Sequence, residues 1–340
     1  MAEAVKPSFA GRVARATILH PAGAAAIGLW VVAHAAVLWL AGGYLPFDRP
    51  AFAGRPFAMQ MAVPTIGMIE ILGLMLVVYW LTRRRKVDIA TRAPDRPVAA
   101  RETAMLLAYA MLAQVGGWLL GPVLGYRPFS FHIAGTLVGC SVPPSPGEVW
   151  TWMIYNFVAF AIVPFLWFRH RYSTEQLSLK SSAPWNDLSV ILVVATIESA
   201  FELGAFPGIL KLSAEQLLIA APVAFAVFFF GTVLPTMVLI YAILLPRYLK
   251  LTGSPTVTVL LGGLTYAAMH LVEGWSVFAT PRDTALSLLF VLLSYVGPGM
   301  IKSFITLRTG NAWVHALGYH AVAPHTVVDA PLIAKVFALR

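Results

Sequence analysis

Long apolar stretches dominate this sequence and restrict it to one class of fold. A helix needs about 20 mainly apolar residues to cross the hydrocarbon core of a bilayer. Stretches of this kind occur near residues 18–41, 61–82, 102–124, 149–168, 187–206, 217–249, 255–272, 284–307 and 311–333. Only 11% of the residues are charged, whereas soluble domains carry about 25%. The sequence therefore predicts an all-α fold, a polytopic membrane helix bundle with 8–9 transmembrane helices.

The sixth apolar stretch is too long for one straight span. Pro222 and Pro235 interrupt it, and a proline inside a helix removes a backbone donor and clashes with the preceding turn. We expect a kinked, tilted or broken helix at 217–249.

The positive charge of the chain indicates a membrane orientation. The formal net charge is +9, but no basic face with interleaved aromatic residues is present, so nucleic acid is not an expected partner. Basic residues instead follow the second, fourth, sixth and eighth stretches, as at 83–86, Arg169, Arg247 and Arg308. Such residues favour the cytoplasmic side. We expect an integral protein of a bacterial inner membrane, in contact with membrane lipids, with a cytoplasmic N-terminus.

A polar stretch at 173–187 suggests a division of the chain at about residue 185. Residues 1–185 would hold four N-terminal transmembrane helices and an external loop at 125–148. That loop is rich in proline, glycine and aromatic residues, and we expect it to fold back on the bundle. Residues 186–340 would form the core that carries the polar residues described next.

Carboxylates and histidines lie inside predicted spans of the second half, among them Glu198, Glu202, His270, His320 and His325. Such groups are costly in hydrocarbon and indicate a functional site. At 1.5 Å per residue, Glu198 and His320 come to about 16 and 14 Å from the cytoplasmic side, and the other three to about 22 Å. Since Glu198 and Glu202 are four residues apart, they share one helix face.

Carboxylates and histidines at matching depth can act as acids and bases or hold a metal. We predict catalytic roles for Glu198, Glu202, His270 and His320. The predicted metal ligands are Glu202, His270, His320 and His325, with zinc or another divalent metal as the candidate cofactor.

Other histidines and acids in the spans have simpler interpretations. A single membrane histidine is more often hydrogen-bonded to a neighbouring helix than catalytic, and we assign His315 to that class. Glu70 stands alone in the second span, so it either belongs to a structural pair or contributes to the site from the far side.

Two short motifs occur in order in the second half of the sequence. Tyr266-Ala267-Ala268-Met269-His270 fits an F-x-x-x-H pattern with tyrosine in place of phenylalanine, and His320 follows fifty residues later. With the segment at 244–248, these motifs make residues 217–333 resemble the CPBP family of intramembrane proteases, which includes CAAX-processing and bacteriocin-processing enzymes. In that family a glutamate pair and an arginine precede these motifs, and the last motif is H-x-x-x-N.

The chain departs from the family pattern at several positions. The place of the glutamate pair reads Pro235-Thr236-Met237-Val238, and Tyr241 stands near the place of the arginine. The asparagine position is Pro324, with His325 beside it. The first motif is therefore missing, and the resemblance is to a divergent member.

The resemblance implies two functions, and the residues leave others open. In one, Glu198 and Glu202 replace the missing carboxylates, and the chain is an intramembrane hydrolase, most simply a peptidase, acting on a membrane peptide or protein in the outer half of the bilayer. In the other, it is a catalytically inactive scaffold or partner-binding subunit. A metal- or haem-binding membrane protein and a proton-coupled transporter remain further alternatives.

Overall fold

The computed structural model describes residues 20–47, 55–131, 144–273 and 275–340, and all regular structure in these ranges is helical. Seven of the described helices are long and apolar enough to cross a membrane. The first six are α1 (Pro21–Ala41), α2 (Phe57–Leu81), α3 (Arg96–Val123), α4 (Pro146–Arg169), α5 (Pro184–Ala205) and α6 (Ala214–Thr252). A shorter apolar helix, α7 (Pro255–Ala268), precedes the seventh, α8 (Pro281–Thr309). The prediction of a helical membrane bundle is confirmed.

The last predicted span is not one continuous helix. The chain after α8 forms one helical turn at Ala312–His315, π-helical turns at Ala316–His320 and Ala323–Val327, and a short helix, α9 (Ala330–Val336). Pro324 lacks a backbone N–H, which explains a break at this point. We call residues 312–336 the C-terminal segment. It packs against α5 and α6.

Local sequence signals explain where α7 and α8 begin. Each starts with a proline, Pro255 or Pro281, at a position where a backbone N–H has no partner in the helix. Ser254 and Thr280 precede them, and their side-chain oxygens accept backbone N–H groups of the first turn. Gly253 ends α6 with φ of +65°, which lets the chain turn directly into α7.

The sixth helix is distorted near its second proline, as predicted. Two π-helical stretches, Phe229–Val233 and Met237–Leu244, flank Pro235. Pro222, in contrast, lies in regular α-helix. All eight residues of Met237–Leu244 are buried, and this part of α6 contacts α3, α4, α7, α8 and the C-terminal segment. Residues 237–244 therefore lie at the centre of the bundle.

Basic side chains join several helix ends at one end of the bundle. Arg85, just after α2, forms an ion pair with Asp187 at the start of α5. Arg92 donates to the carbonyl of Gly310 at 2.5 Å, and burial lowers the pKa of the Arg92 guanidinium. Arg308 donates to the Thr82 carbonyl at 2.6 Å. The loops that carry these charges therefore lie on one side, as the predicted alternation of spans requires.

The loop after α3 folds back onto the bundle over the residues that the structure describes, 125–131. Phe131 is fully buried, and its carbonyl accepts a hydrogen bond from Asn156 Nδ2 at 2.5 Å. The Ser130 carbonyl accepts one from Trp152 Nε1 at 2.8 Å. Residues 132–143 of the predicted loop lie outside the described residues, and α4 begins at Pro146, within the predicted loop range.

Candidate functional site

A cavity of about 360 Å³ lies among α2, α5, α8 and the C-terminal segment. Apolar residues of the three helices form much of its wall. The acidic, basic and histidine side chains that line it are Arg55, Glu70, Glu198, Glu202, Lys302, His320, His325 and Asp329. Four of the five predicted site residues therefore converge on one space. The cavity crosses the predicted division at residue 185, because Glu70 comes from α2.

Three glutamates meet across the α2–α5 contact. Glu198 and Glu202 lie one turn apart on α5, and Glu198 is only 2% exposed. Glu70 of α2 lines the same cavity wall as Glu198. One oxygen of each group, Glu70 Oε1, Glu198 Oε2 and Glu202 Oε2, is buried without a hydrogen-bond partner among the described residues. A buried polar atom left unpaired costs free energy, so these oxygens mark a place that a ligand or water can complete.

Lys302 brings a buried amine to the same cavity and was not among the predicted site residues. Its Nζ lies 3.6 Å from the centre of the Tyr266 ring and 5.8 Å from that of Tyr319, and the residue is 1% exposed. Lys302 and Glu198 line the same cavity. One signal was available: Lys302 is the charged residue of α8 that stands away from both helix ends, about 10 Å from the C-terminal one.

The orientation of the His325 ring is fixed by Asp329, which was also not among the predicted site residues. Its Nδ1 lies 3.0 Å from Oδ2 of Asp329, four residues later, and both side chains are buried. The His325 ring stacks on Phe228 with centroids 4.8 Å apart and planes 7° apart. A carboxylate on Nδ1 fixes the orientation of an imidazole, as in histidines that act as general acids or bases. The H-x-x-x-D spacing was the available signal, since it places both residues on one helix face.

His320 lies between α6 and α7. Its Nδ1 is 3.4 Å from Thr236 Oγ1 and its Nε2 is 3.4 Å from the Tyr266 hydroxyl. The His320 and His325 ring centroids are 4.9 Å apart. Thr236 thus stands beside His320 at the place where the family resemblance expects a glutamate.

His270 does not line the cavity, although it was predicted as catalytic. It is fully buried, its Nδ1 lies 2.6 Å from the Tyr266 carbonyl, and its ring stacks on Tyr295 at 4.2 Å. These contacts hold the end of α7 in place. His315 is buried as well, with Nδ1 3.1 Å from Thr306 Oγ1, which agrees with the structural role expected of it.

The predicted metal ligands are not gathered into one donor set. In the part of the chain that the structure describes, no group of three or more histidine, cysteine, aspartate or glutamate side chains is arranged to hold a metal ion. Glu202, His320 and His325 share the cavity wall, but His270 stands apart from it. A metal at Glu202, His270, His320 and His325 stays a prediction.

Comparison with known proteins found no matching family model, no matching curated protein and no matching solved structure. The function is therefore inferred from the geometry of the cavity.

Proposed function

We propose that this chain is a divergent CPBP-like membrane hydrolase, most simply a peptidase, that acts at the cavity lined by Glu198 and Glu202. The supporting observation is that Glu198, Glu202, His320 and His325, from two separate parts of the sequence, line one buried space. That space also contains an amine and unpaired carboxyl oxygens.

The chemistry proposed is attack of water on an amide carbonyl. Glu202 accepts a proton from the water as its oxygen bonds to the carbonyl carbon. Lys302 and His320 stabilise the negative charge on the carbonyl oxygen. The proton held by Glu202 then passes to the leaving nitrogen as the carbon–nitrogen bond breaks.

The remaining groups of the cavity position the reacting ones. Asp329 fixes the ring of His325, which hydrogen-bonds the attacking water. Glu198 attracts Lys302 and keeps its charge in the cavity. His270 has no direct part in this scheme: it supports Tyr266, whose ring lies under Lys302.

A second candidate function is an inactive scaffold or partner-binding subunit of the same family. The observation that favours it is Thr236 beside His320. Threonine cannot act as the carboxylate base that the resemblance expects at this place. In this alternative, the cavity binds a partner or lipid without chemistry.

The proposal includes a membrane placement. The chain is an integral protein of a bacterial inner membrane with its N-terminus in the cytoplasm, because the basic loops gather at one end of the bundle. The short helix α7 and the broken C-terminal segment count as the eighth and ninth spans. Both pack against longer helices, which can satisfy irregular backbone at membrane depth.

The test is a comparison of cleaved membrane peptides in cells that express the wild-type chain or one of four variants. We expect new protein N-termini with the wild type and with Glu215→Gln, an exposed control on α6. We expect none with Glu202→Gln or His325→Gln. Cleavage that survived both Glu198→Gln and Glu202→Gln would show that the site is assigned to the wrong residues. No cleavage by the wild type would favour the scaffold.

A further inference from the structure

A second cavity, of about 320 Å³, lies far from the first in the sequence, between the start of α3 and the end of α4. Its lining residues are Arg101, Glu102, Met105, Trp167, Phe168 and Arg171. None of them belongs to the candidate site or to the segments at 244–248, 266–270 and 320–325 that resemble the family motifs. Two arginines, one acid and one tryptophan in a single pocket suggest a ligand with both charge and apolar surface.

The acid in this pocket is already neutralised. Arg247 of α6 binds Glu102 Oε2 through Nε at 2.9 Å and Nη2 at 2.6 Å. The Tyr172 hydroxyl donates to Glu102 Oε1 at 2.7 Å; burial, followed by this hydrogen bond, raises the pKa of the Tyr172 hydroxyl. Arg247 is 1% exposed and its guanidinium lies 4.7 Å from the Phe168 ring centre. The floor of the pocket is therefore a fixed ion pair with no net charge.

The rim of the pocket, in contrast, carries two unpaired cations. Arg101 and Arg171 are exposed, and neither guanidinium has a hydrogen-bond or ion-pair partner among the described residues. Two positive groups that share one pocket repel each other unless an anion lies between them. A guanidinium presents a planar set of donors that matches the oxygens of a phosphate.

The position of the pocket identifies the source of the phosphate. Arg101 is in the second turn of α3, and Arg171 follows the last residue of α4 by two positions. Arg96, at the start of α3, donates to the Leu251 carbonyl at the end of α6, so the pocket lies at the end of the bundle that carries the basic loops. Trp167 is suited to the headgroup level of a bilayer. Met105, 41% exposed, continues the pocket onto the apolar surface of α3.

We infer that this pocket binds the phosphate of an anionic phospholipid, with Arg101 and Arg171 on the headgroup and the α3 surface beside the acyl chains. Basic pockets between membrane helices on the cytoplasmic side have the character that such headgroups require. The inference is independent of hydrolysis at the first cavity.

The test measures lipid binding to the purified full-length chain by native mass spectrometry, with phosphatidylglycerol and phosphatidylcholine as probes. The variant Arg101→Gln/Arg171→Gln removes two charges from the pocket. Its matched control, Arg84→Gln/Lys86→Gln, removes two exposed charges from the loop after α2. We expect phosphatidylglycerol affinity to fall about tenfold or more in the pocket variant, since each charge-assisted contact contributes more than a neutral one. The control should change less than about twofold.

Two further arms complete the test. Arg101→Lys/Arg171→Lys keeps the charge but loses the planar donors, so we expect an intermediate loss, and this variant is decisive if the glutamine variant does not fold. Glycerol 3-phosphate serves as the free phosphate ester. The inference would be overturned if phosphatidylglycerol affinity fell equally in the pocket variant and the control, or fell in neither. It would also be overturned if glycerol 3-phosphate bound as tightly as the lipid.

Discussion

Two buried sites in this bundle contain similar ionisable residues but differ in how many of their carboxyl oxygens accept hydrogen bonds. At the Arg247–Glu102 site, both carboxyl oxygens accept hydrogen bonds. At the Glu198–Glu202 cavity, each glutamate keeps one buried oxygen without a partner among the described residues. The hydrogen bonding of the first site is complete, whereas the residues that the structure describes leave that of the second incomplete.

The difference indicates what each site is for. A buried pair with all its hydrogen bonds made holds helices in register, and removing one partner leaves an uncompensated charge. A cluster with unpaired oxygens beside a cavity has already incurred that cost, which a protein retains where binding or chemistry depends on it. The following predictions test this contrast, starting with the largest effect.

Chemical labelling should separate the two sites completely. An apolar carbodiimide partitions into the bilayer and adds to carboxyl groups that it can reach. We expect it to modify Glu198 or Glu202 and to leave Glu102 unmodified, because Arg247 and Tyr172 occupy both Glu102 oxygens. Peptide mass mapping after labelling in membranes measures this. Labelling of Glu102 at the rate of the cavity glutamates would remove the contrast.

Breaking the complete pair should be strongly destabilising. We expect Glu102→Gln to lower the free energy of unfolding by about 3–5 kcal/mol, since Arg247 is left buried without its counter-charge. Denaturant unfolding in detergent micelles measures this, with Glu215→Gln as an exposed control. The double variant Glu102→Leu/Arg247→Met should recover much of the loss. If the effects of Glu102→Leu and Arg247→Met alone simply added in the double variant, the pair would not be coupled.

A single added methyl group at the α7–α8 contact should destabilise the protein. A Cβ at Gly299 would lie 2.8 Å from Gly263 Cα and 2.6 Å from Tyr266 Cβ. Because one of these contacts is with backbone, we expect Gly299→Ala to lower the free energy of unfolding by about 1–3 kcal/mol. Gly73→Ala on α2, with no atom within 4 Å of its Cβ, is the control. Equal thermal stability of the two variants would contradict this close packing.

The smallest effect on stability should come from the cavity glutamate itself. We expect Glu198→Gln to change the free energy of unfolding by less than about 1 kcal/mol, because glutamine keeps the shape of the side chain and Oε2 of Glu198 has no hydrogen-bond partner to lose among the described residues. The same unfolding measurement applies. A loss as large as that of Glu102→Gln would mean that Glu198 is a structural residue.

The apolar stretches were sufficient to predict the membrane bundle, because the length and apolar character of a span are set by the bilayer rather than by neighbouring helices. They overstated the continuity of the C-terminal segment. Proline positions mark where a helix can break, but Pro222 lies in regular helix while Pro235 and Pro324 lie at distortions. Contacts with neighbouring helices determine at which of these prolines the helix is distorted.

The candidate site was predictable in part. Depth along the helices correctly grouped Glu198, Glu202, His320 and His325, since helix rise is constant. Depth carries no information on rotation about the helix axis, so His270 was grouped with them although it packs on Tyr295. Lys302 and Asp329 were missed because their roles depend on partners in other turns and helices.

The fully enclosed part of α6 has a consequence for how the protein is made. Met237–Leu244 is covered by α7, α8 and the C-terminal segment, among others, yet these follow it in the chain. A nascent α6 in the membrane must first be covered by lipid on those faces. Side-by-side helix association then replaces that lipid with protein. Residues 312–336 bring His320 and His325 to the cavity, so the candidate site cannot be complete before this segment has been synthesised and has packed against α5 and α6.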